Sequence, residues 1–378
     1  MRHHKYNPDY NFIKSPIEFN KYTERSILQY CLGATMYMPG TRDFASEIIT
    51  NKYPGLTSFV LCFEDACKLE DVPVAEEKSL RLLDLLQDEI DRGNLKHNDL
   101  PLIIFRVRNL DQFNNFTSLL TERHAKLICA FNFPKFNANN GNAYFTHLQN
   151  INDKFDEILY GMPILEDHTI AYKETRIPEL LAIKSILDCY RKLVLNVRVG
   201  GTDFSSCFGM RRGIDYTIYD IMTVRDCLQD ILNLFIRNND YTVSGPVWEY
   251  FRASKEMRFK DLPKSGFQES LIRREPIIND AVDGLMREII LDKANGFVGK
   301  TIIHPTHLNY VNGLMAVTKE EYDDAKQISN NIEGVVKSES GNKMNEINPH
   351  RNWAERILMR AKVYGVIENE KSYLELVM

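Results

Sequence analysis

Nowhere does the chain approach the roughly eighteen uninterrupted apolar residues that a membrane-spanning helix needs. The first residues, Arg2, His3, His4, Lys5 and Tyr6, are polar with no apolar run behind them, so no signal peptide is expected. A basic excess is missing too. The chain has 47 Lys and Arg against 52 Asp and Glu, a formal net charge of −5, and so no electrostatic footprint for wrapping nucleic acid. Cysteine is sparse and irregular: seven residues, an odd number, are spread from Cys31 to Cys227, and Cys62 and Cys67 lack the CxxC spacing of a zinc or redox site. They read as reduced thiols rather than a disulfide framework. These absences predict a cytoplasmic globular protein whose partner is a small molecule, not nucleic acid or a membrane.

A Gly-rich phosphate turn is absent as well. The segment after the first apolar run reads Met38-Pro39-Gly40-Thr41, which counts against an open doubly wound sheet. What the 378 residues do contain is alternation. Short β-rich runs lie at Thr35 to Met38, Ser58 to Phe63, Leu102 to Val107, Lys126 to Phe133, Leu159 to Leu165, Leu193 to Val199, Tyr241 to Val247 and Val298 to Ile303. Between them, Glu76 to Arg92, Asp111 to Arg123, Ile177 to Lys192 and Ile218 to Ile236 carry apolar residues at the i, i+3, i+4 and i+7 spacing of an amphipathic helix. Eight βα units predict an α/β fold, a (β/α)8 TIM barrel over residues 1–317. The tail, 318–378, is expected to be a small helical appendage with a helix from Trp353 to Tyr364. Asp111 is the expected cap of the helix that begins at Gln112, and Thr41 or Asp43 of the one after Pro39-Gly40. Phe204 to Asp215 is expected to be a loop.

In such a barrel the reactive groups stand at the carboxyl ends of the strands. Those ends read Glu64-Asp65, Arg106-Val107-Arg108-Asn109, Pro134-Lys135, Glu166-Asp167 and Gly200-Gly201-Thr202-Asp203. Any one of these charges alone is most simply a solvated loop residue. Their recurrence on one rim is what a divalent metal needs when it must also hold an anionic oxygen substrate. Mg²⁺ takes oxygen ligands and usually only one or two protein carboxylates. Glu166 and Asp203, on neighbouring strands, are the best pair for it.

The same residues carry a resemblance. Met38-Pro39-Gly40, Phe63-Glu64-Asp65-Ala66, Arg106-Val107, Pro163-Ile164-Leu165-Glu166, Gly201-Thr202-Asp203-Phe204, Gly296-Phe297-Val298-Gly299-Lys300 and Ile303-His304-Pro305 occur in the order of one family's motifs. The chain resembles the citrate lyase β-subunit and malyl-CoA lyase group of the HpcH/HpaI aldolase superfamily. That likeness implies Mg²⁺ on Glu166 and Asp203, with Arg106 neutralising a carboxylate or enolate oxygen. Glu64 and Asp65 would position water at the metal or assist proton transfer. Pro39, Arg108, Lys135, Gly201, Thr202, Lys300 and His304 would face the substrate. Where relatives have Arg-Val-Asn, this chain has Arg106-Val107-Arg108, which implies an added cation and a more anionic substrate. Relatives also send an acidic tail residue into a neighbouring subunit's site. The nearest match, Lys343-Met344-Asn345-Glu346, would give Glu346 a catalytic role and require a homo-oligomer, a trimer or hexamer. Asn345-Glu346 through Pro349-His350 and Trp353-Ala354 is similar to a divergent branch found beside bacterial tellurium-resistance genes.

Three tempting readings are set aside. Ala294 to Thr301 meets a relaxed phosphate-loop pattern, but a helix precedes it and a β run follows, the reverse of the order phosphate binding needs. His304 and His307 are three apart, but Pro305 breaks any helix that would aim both at one metal, leaving His304 a rim residue. Lys135 as a Schiff-base nucleophile needs a depressed pKa in a dry pocket. The resulting expectation is a Mg²⁺-dependent carbon–carbon lyase or aldolase that cleaves an anionic substrate, a 2-keto acid precursor or acyl-CoA-like molecule, into a 2-keto acid and an enolate-derived product. The alternatives are a phosphoenolpyruvate-type enzyme and a non-catalytic binding barrel of a stress-response system.

Overall fold

The computed structural model describes residues 1–252 and 267–377. Its main sheet is a ring of eight parallel strands: β1 (Ala34–Pro39), β2 (Ser58–Cys62), β3 (Leu102–Arg106), β4 (Ile128–Phe133), β5 (Tyr160–Leu165), β6 (Val197–Val199), β7 (Val243–Ser244) and β8 (Lys300–Ile302). Each expected run supplies one strand, in the expected order. β8 returns to β1, pairing Lys300 with Ala34, and the last gap closes where the Gly245 N–H donates to Gly299 O at 3.0 Å and the Thr301 N–H to Gly245 O at 3.1 Å. The chain therefore folds as a (β/α)8 barrel.

Helices follow the strands: α1 (Ala45–Ile49), α2 (Val72–Asp91), α3 (Leu110–Ser118), α4 (Gly141–Phe155), α5 (Lys173–Cys189), α6 (Met222–Phe235), α7 (Asp280–Asn295) and α8 (Leu308–Leu314). The caps differ from expectation. Helix α3 is capped by Asn109, whose Oδ1 accepts the Gln112 N–H at 2.9 Å, because the chain is still extended at Asn109 and already helical at Asp111. Helix α1 starts after Phe44 with no side-chain cap, so neither Thr41 nor Asp43 serves. The expected loop after β6 is partly helical over Gly201–Cys207.

Strand alternation sorts the residues. Phe105, Phe131 and Phe133 point outward to the helices, while Arg106, Asn132, Arg198 and Thr301 point into the barrel. Beyond the barrel, Val317–Thr318 pairs with Val366–Ile367, and helices Lys319–Asn330 and Ile347–Tyr364 enclose a second apolar cluster that includes Ile328, Ile347, Ile357 and Val366. Among the described residues no helix is long and apolar enough to cross a membrane.

Candidate active site

The strand ends from β2 to β6 bring six charged side chains to one point. Arg106, the last residue of β3, lies under the rim and ion-pairs with Glu64, with Asp65 at 3.0 Å and with Glu166 at 3.3 Å. The Lys135 ammonium reaches Glu64 at 3.1 Å, Asp203 at 3.0 Å and Glu166 at 3.7 Å. Its backbone N–H also donates to Glu166 Oε1 at 3.0 Å, a geometry reached with φ of 47°, left-handed backbone that a lysine rarely adopts. Strain of this kind is kept where the surroundings over-determine it, which is the usual situation at functional sites.

Gly200 lets Glu166 and Asp203 approach each other. A Cβ there would stand 2.4 Å from Glu166 Oε2 and 3.2 Å from Asp203 Oδ2, so any side chain would displace the pair. Both carboxylates face a cavity of about 230 Å³ inside the strand ends, lined also by Tyr37, Arg106, Arg198, Thr202 and Thr301. Among the described residues no three His, Cys, Asp or Glu form a ready cage. Two carboxylates around a glycine gap, with their remaining faces toward the cavity, match the sparse oxygen-only donor set of Mg²⁺.

The charges tune one another. Burial pushes the Glu166 carboxyl up to about 8, against the pull of Arg106. Burial also raises Glu64, whereas Asp65, although burial opposes it, is held below the ordinary carboxylate range by its hydrogen bond with Glu64 and by the Arg106 and Lys135 cations. Burial works against the Lys135 ammonium, but Glu166, Asp203 and Glu64 outweigh it and hold it above its ordinary range. That is the opposite of what a Schiff-base lysine requires.

The other expected residues divide between this cavity and places outside it. Arg108 does not enter the cavity: the strand has ended, and its guanidinium turns back to the carbonyls of Phe63 and Cys67, each at 3.1 Å. Lys300 is sealed outside the barrel wall, 2.9 Å from Glu288 and 2.7 Å from Asp292 on α7, because its neighbour Thr301 takes the inward position. Gly201 and Thr202 line the cavity. Pro39 is exposed at the end of β1, and His304, at the end of β8, stacks on Phe251 with centroids 4.6 Å apart. Glu346 is exposed at the foot of the Ile347–Tyr364 helix and lines no part of this cavity. The phosphate-loop-like segment lies between the end of α7 and the start of β8, as its flanks foretold, and Gly296 (φ 95°) ends the helix. It borders a larger cleft of about 810 Å³ lined by Lys293, Glu321 and Arg356, among others.

Sequence reading missed Tyr37, Asn132, Arg198 and Thr301. Arg198 had a signal: a lone charge between Val197 and Val199, in the same inward phase as Gly200.

A family model for C–C bond lyases of the TIM-barrel fold matches residues 26–366. The chain belongs to this family. It is a carbon–carbon lyase, and the reading as a non-catalytic barrel falls away. No curated protein matches the lyase by sequence. Among solved structures, it is similar to the protein CitE from Mycobacterium tuberculosis in complex with magnesium, acetoacetate and coenzyme A: TM-score 0.51, 16% identity, 88% of this chain and 99% of that chain covered. A HpcH/HpaI aldolase/citrate lyase family protein from Burkholderia cenocepacia J2315 gives TM-score 0.42 at 11% identity, covering 74% of this chain and 93% of that one. At such identities the likeness is one of fold.

Proposed function

We propose that the lyase uses Mg²⁺, held by Glu166 and Asp203, to cleave a small anionic substrate into a 2-keto acid, such as oxaloacetate, glyoxylate or pyruvate, and an enolate-derived product. The observation that carries this reading is the Glu166–Asp203 pair around the Gly200 gap, with Arg106 beside it. The magnesium, oxaloacetate and acetoacetate bound by structures of similar fold agree with it. Bound Mg²⁺ would supply Lewis-acid polarisation of a keto or hydroxyl oxygen.

The remaining chemistry belongs to the chain. Asp65, ionised and half in solvent, is suited to take the hydroxyl proton of the substrate. As the carbon–carbon bond breaks, one fragment becomes the keto acid and the other an enolate, whose oxygen the buried Arg106 cation neutralises. Glu64, held toward its protonated form, is suited to return a proton to the enolate carbon. The Lys135 ammonium occupies the space among the carboxylates and must swing aside, or onto the substrate carboxylate, when the metal binds. The same reading carries a homo-oligomer, in which the exposed Glu346, remote from its own cavity, serves a neighbour's.

Isothermal titration of the chelated protein with Mg²⁺, with and without oxaloacetate, glyoxylate and pyruvate, tests this on wild type and Asp203→Asn. The expected result is a keto acid that binds only with metal, with the synergy lost in the variant. Keto-acid binding indifferent to metal would overturn it.

A further inference from the structure

Among the described residues, one cation inside the barrel pairs with no carboxylate. Arg198 on β6 is 1% exposed, yet its partners are two neutral hydroxyls, Thr301 Oγ1 at 2.7 Å and Thr35 Oγ1 at 3.5 Å, and the face of the Tyr37 ring with its centroid 5.4 Å away. Among the described residues its buried Nε meets no hydrogen-bond partner, as is also true of the ion-paired Arg106 and Arg212. Arg176 and Arg212, buried to a similar degree, meet Asp226 with Asp230 and Glu288 respectively. A buried unpaired charge is costly, and folds keep one only where something else pairs with it.

The position of Arg198 shows where that partner would lie. It precedes Gly200 by two residues on the same inward face, one step below the Glu166–Asp203 gap, and it lines the same cavity. Arg106 stands on β3, three strands away around the ring, so the two guanidinium groups face the cavity from separate walls. Tyr37, whose hydroxyl is hydrogen-bonded to Asn132, lies against Arg198, and both line the cavity.

We propose that Arg198, with Thr301 and Tyr37, is a second anion subsite, so that the substrate is a small acid bearing two separated anionic groups, one read at the Arg106 rim and the other on the barrel floor. This rests on the Glu166–Asp203–Arg106 rim being the reaction centre. The floor group is an oxyanion, a carboxylate or a phosphonate-like group, that would receive the free Nε–H and the guanidinium edge in charge-assisted hydrogen bonds.

Titration in saturating Mg²⁺ with pyruvate, oxaloacetate and phosphonopyruvate tests it. Wild type should bind one of the two dianions roughly tenfold or more tighter than pyruvate. Whichever dianion is preferred identifies the floor group. Arg198→Met should bring that dianion down to the affinity of pyruvate, and Arg198→Lys should keep part of the preference. Thermal unfolding without ligand gives a second readout. Removing an unpaired buried charge should leave the midpoint of Arg198→Met unchanged or raised, whereas a structural arginine would lower it. No preference in wild type, or a preference that survives Arg198→Met, overturns the proposal. If no keto acid needs metal, the reaction-centre reading fails by itself, and malonate then probes Arg198 alone: a malonate-induced thermal shift lost in Arg198→Met supports the subsite, and a shift retained refutes it.

Discussion

Between strands β2–β4 and helices α3 and α4 the layer is aromatic ring on aromatic ring: Phe63 on Phe116 at 4.9 Å, Phe105 on Phe116 at 5.0 Å, Phe113 on Phe131 at 4.9 Å, and Phe133 on Tyr144 at 4.6 Å. Between β8 and α7 the same layer holds Lys300, Glu288 and Asp292, all 0% exposed, with Arg212 and the Tyr219 hydroxyl closing the network. Apolar rings tolerate small shifts, because dispersion and area burial are not directional. A buried charge network does not, because each member is costly once its partner is gone. The second wall is therefore the more brittle, and it carries the loop after β6, which Arg212 ties to Glu288 and to Val247 O.

The largest effect tests that difference. Lys300→Met removes the buried cation that Glu288 and Asp292 share and leaves Asp292 with no cation, so it should cost about 3–5 kcal/mol, while Phe105→Leu on the other wall should cost about 1–2 kcal/mol. Urea unfolding of both variants measures it, and a smaller loss for Lys300→Met would break the comparison. Acid should attack the same wall next. His307 is 2% exposed, its Nε2 3.1 Å from Tyr250 O, and burial depresses its imidazole to about 4 from the ordinary 6.5. Between those values the unfolded chain binds the proton and the folded one does not, so stability is lost as pH falls from 6.5 toward 4, by up to about 3 kcal/mol. His307→Gln should flatten that limb of a stability profile, and an unchanged slope would show that the imidazole is not responsible.

Between the two walls, just past the end of β6, Gly200 sets the gap between Glu166 and Asp203. Gly200→Ala places a methyl against Glu166 and should weaken Mg²⁺ binding by about tenfold to a hundredfold while the far-ultraviolet spectrum stays that of the wild type. Metal affinity equal to the parent protein's would remove Gly200 from the account.

Much of this was legible from residue order. Apolar runs of strand length, bounded by polar turns, marked all eight strands, because a parallel strand is covered on both faces and cannot hide. The rim carboxylates were legible because they end those runs. Side-chain direction was not. Arg106 and Arg108 share a parity, but the ladder stops at Arg106, and beyond it alternation no longer decides where a side chain goes. For Lys300 the phase was there to be read: Thr301 faces inward, so Lys300 faces α7. Arg198 was not legible from strand ends, because it lies within a strand.

The smallest expected effect concerns the apolar wall's own polar detail. Asn109 caps α3 directly after Arg106 and Arg108, and Gln112 Oε1 accepts the Arg108 N–H at 2.9 Å, so the cap fixes how β3 turns into its helix just beyond the arginine of the site. Asn109→Ala should cost about 1 kcal/mol. Asp111→Ala, which removes only a first-turn charge favourable to the helix dipole, should cost about 0.3–0.5 kcal/mol. Because ring packing holds the rest of α3, Asn109→Ala should leave the unfolding transition cooperative and lower only its midpoint. A broadened transition would mean that this wall, too, depends on a directional contact, and the contrast with β8 would be one of degree.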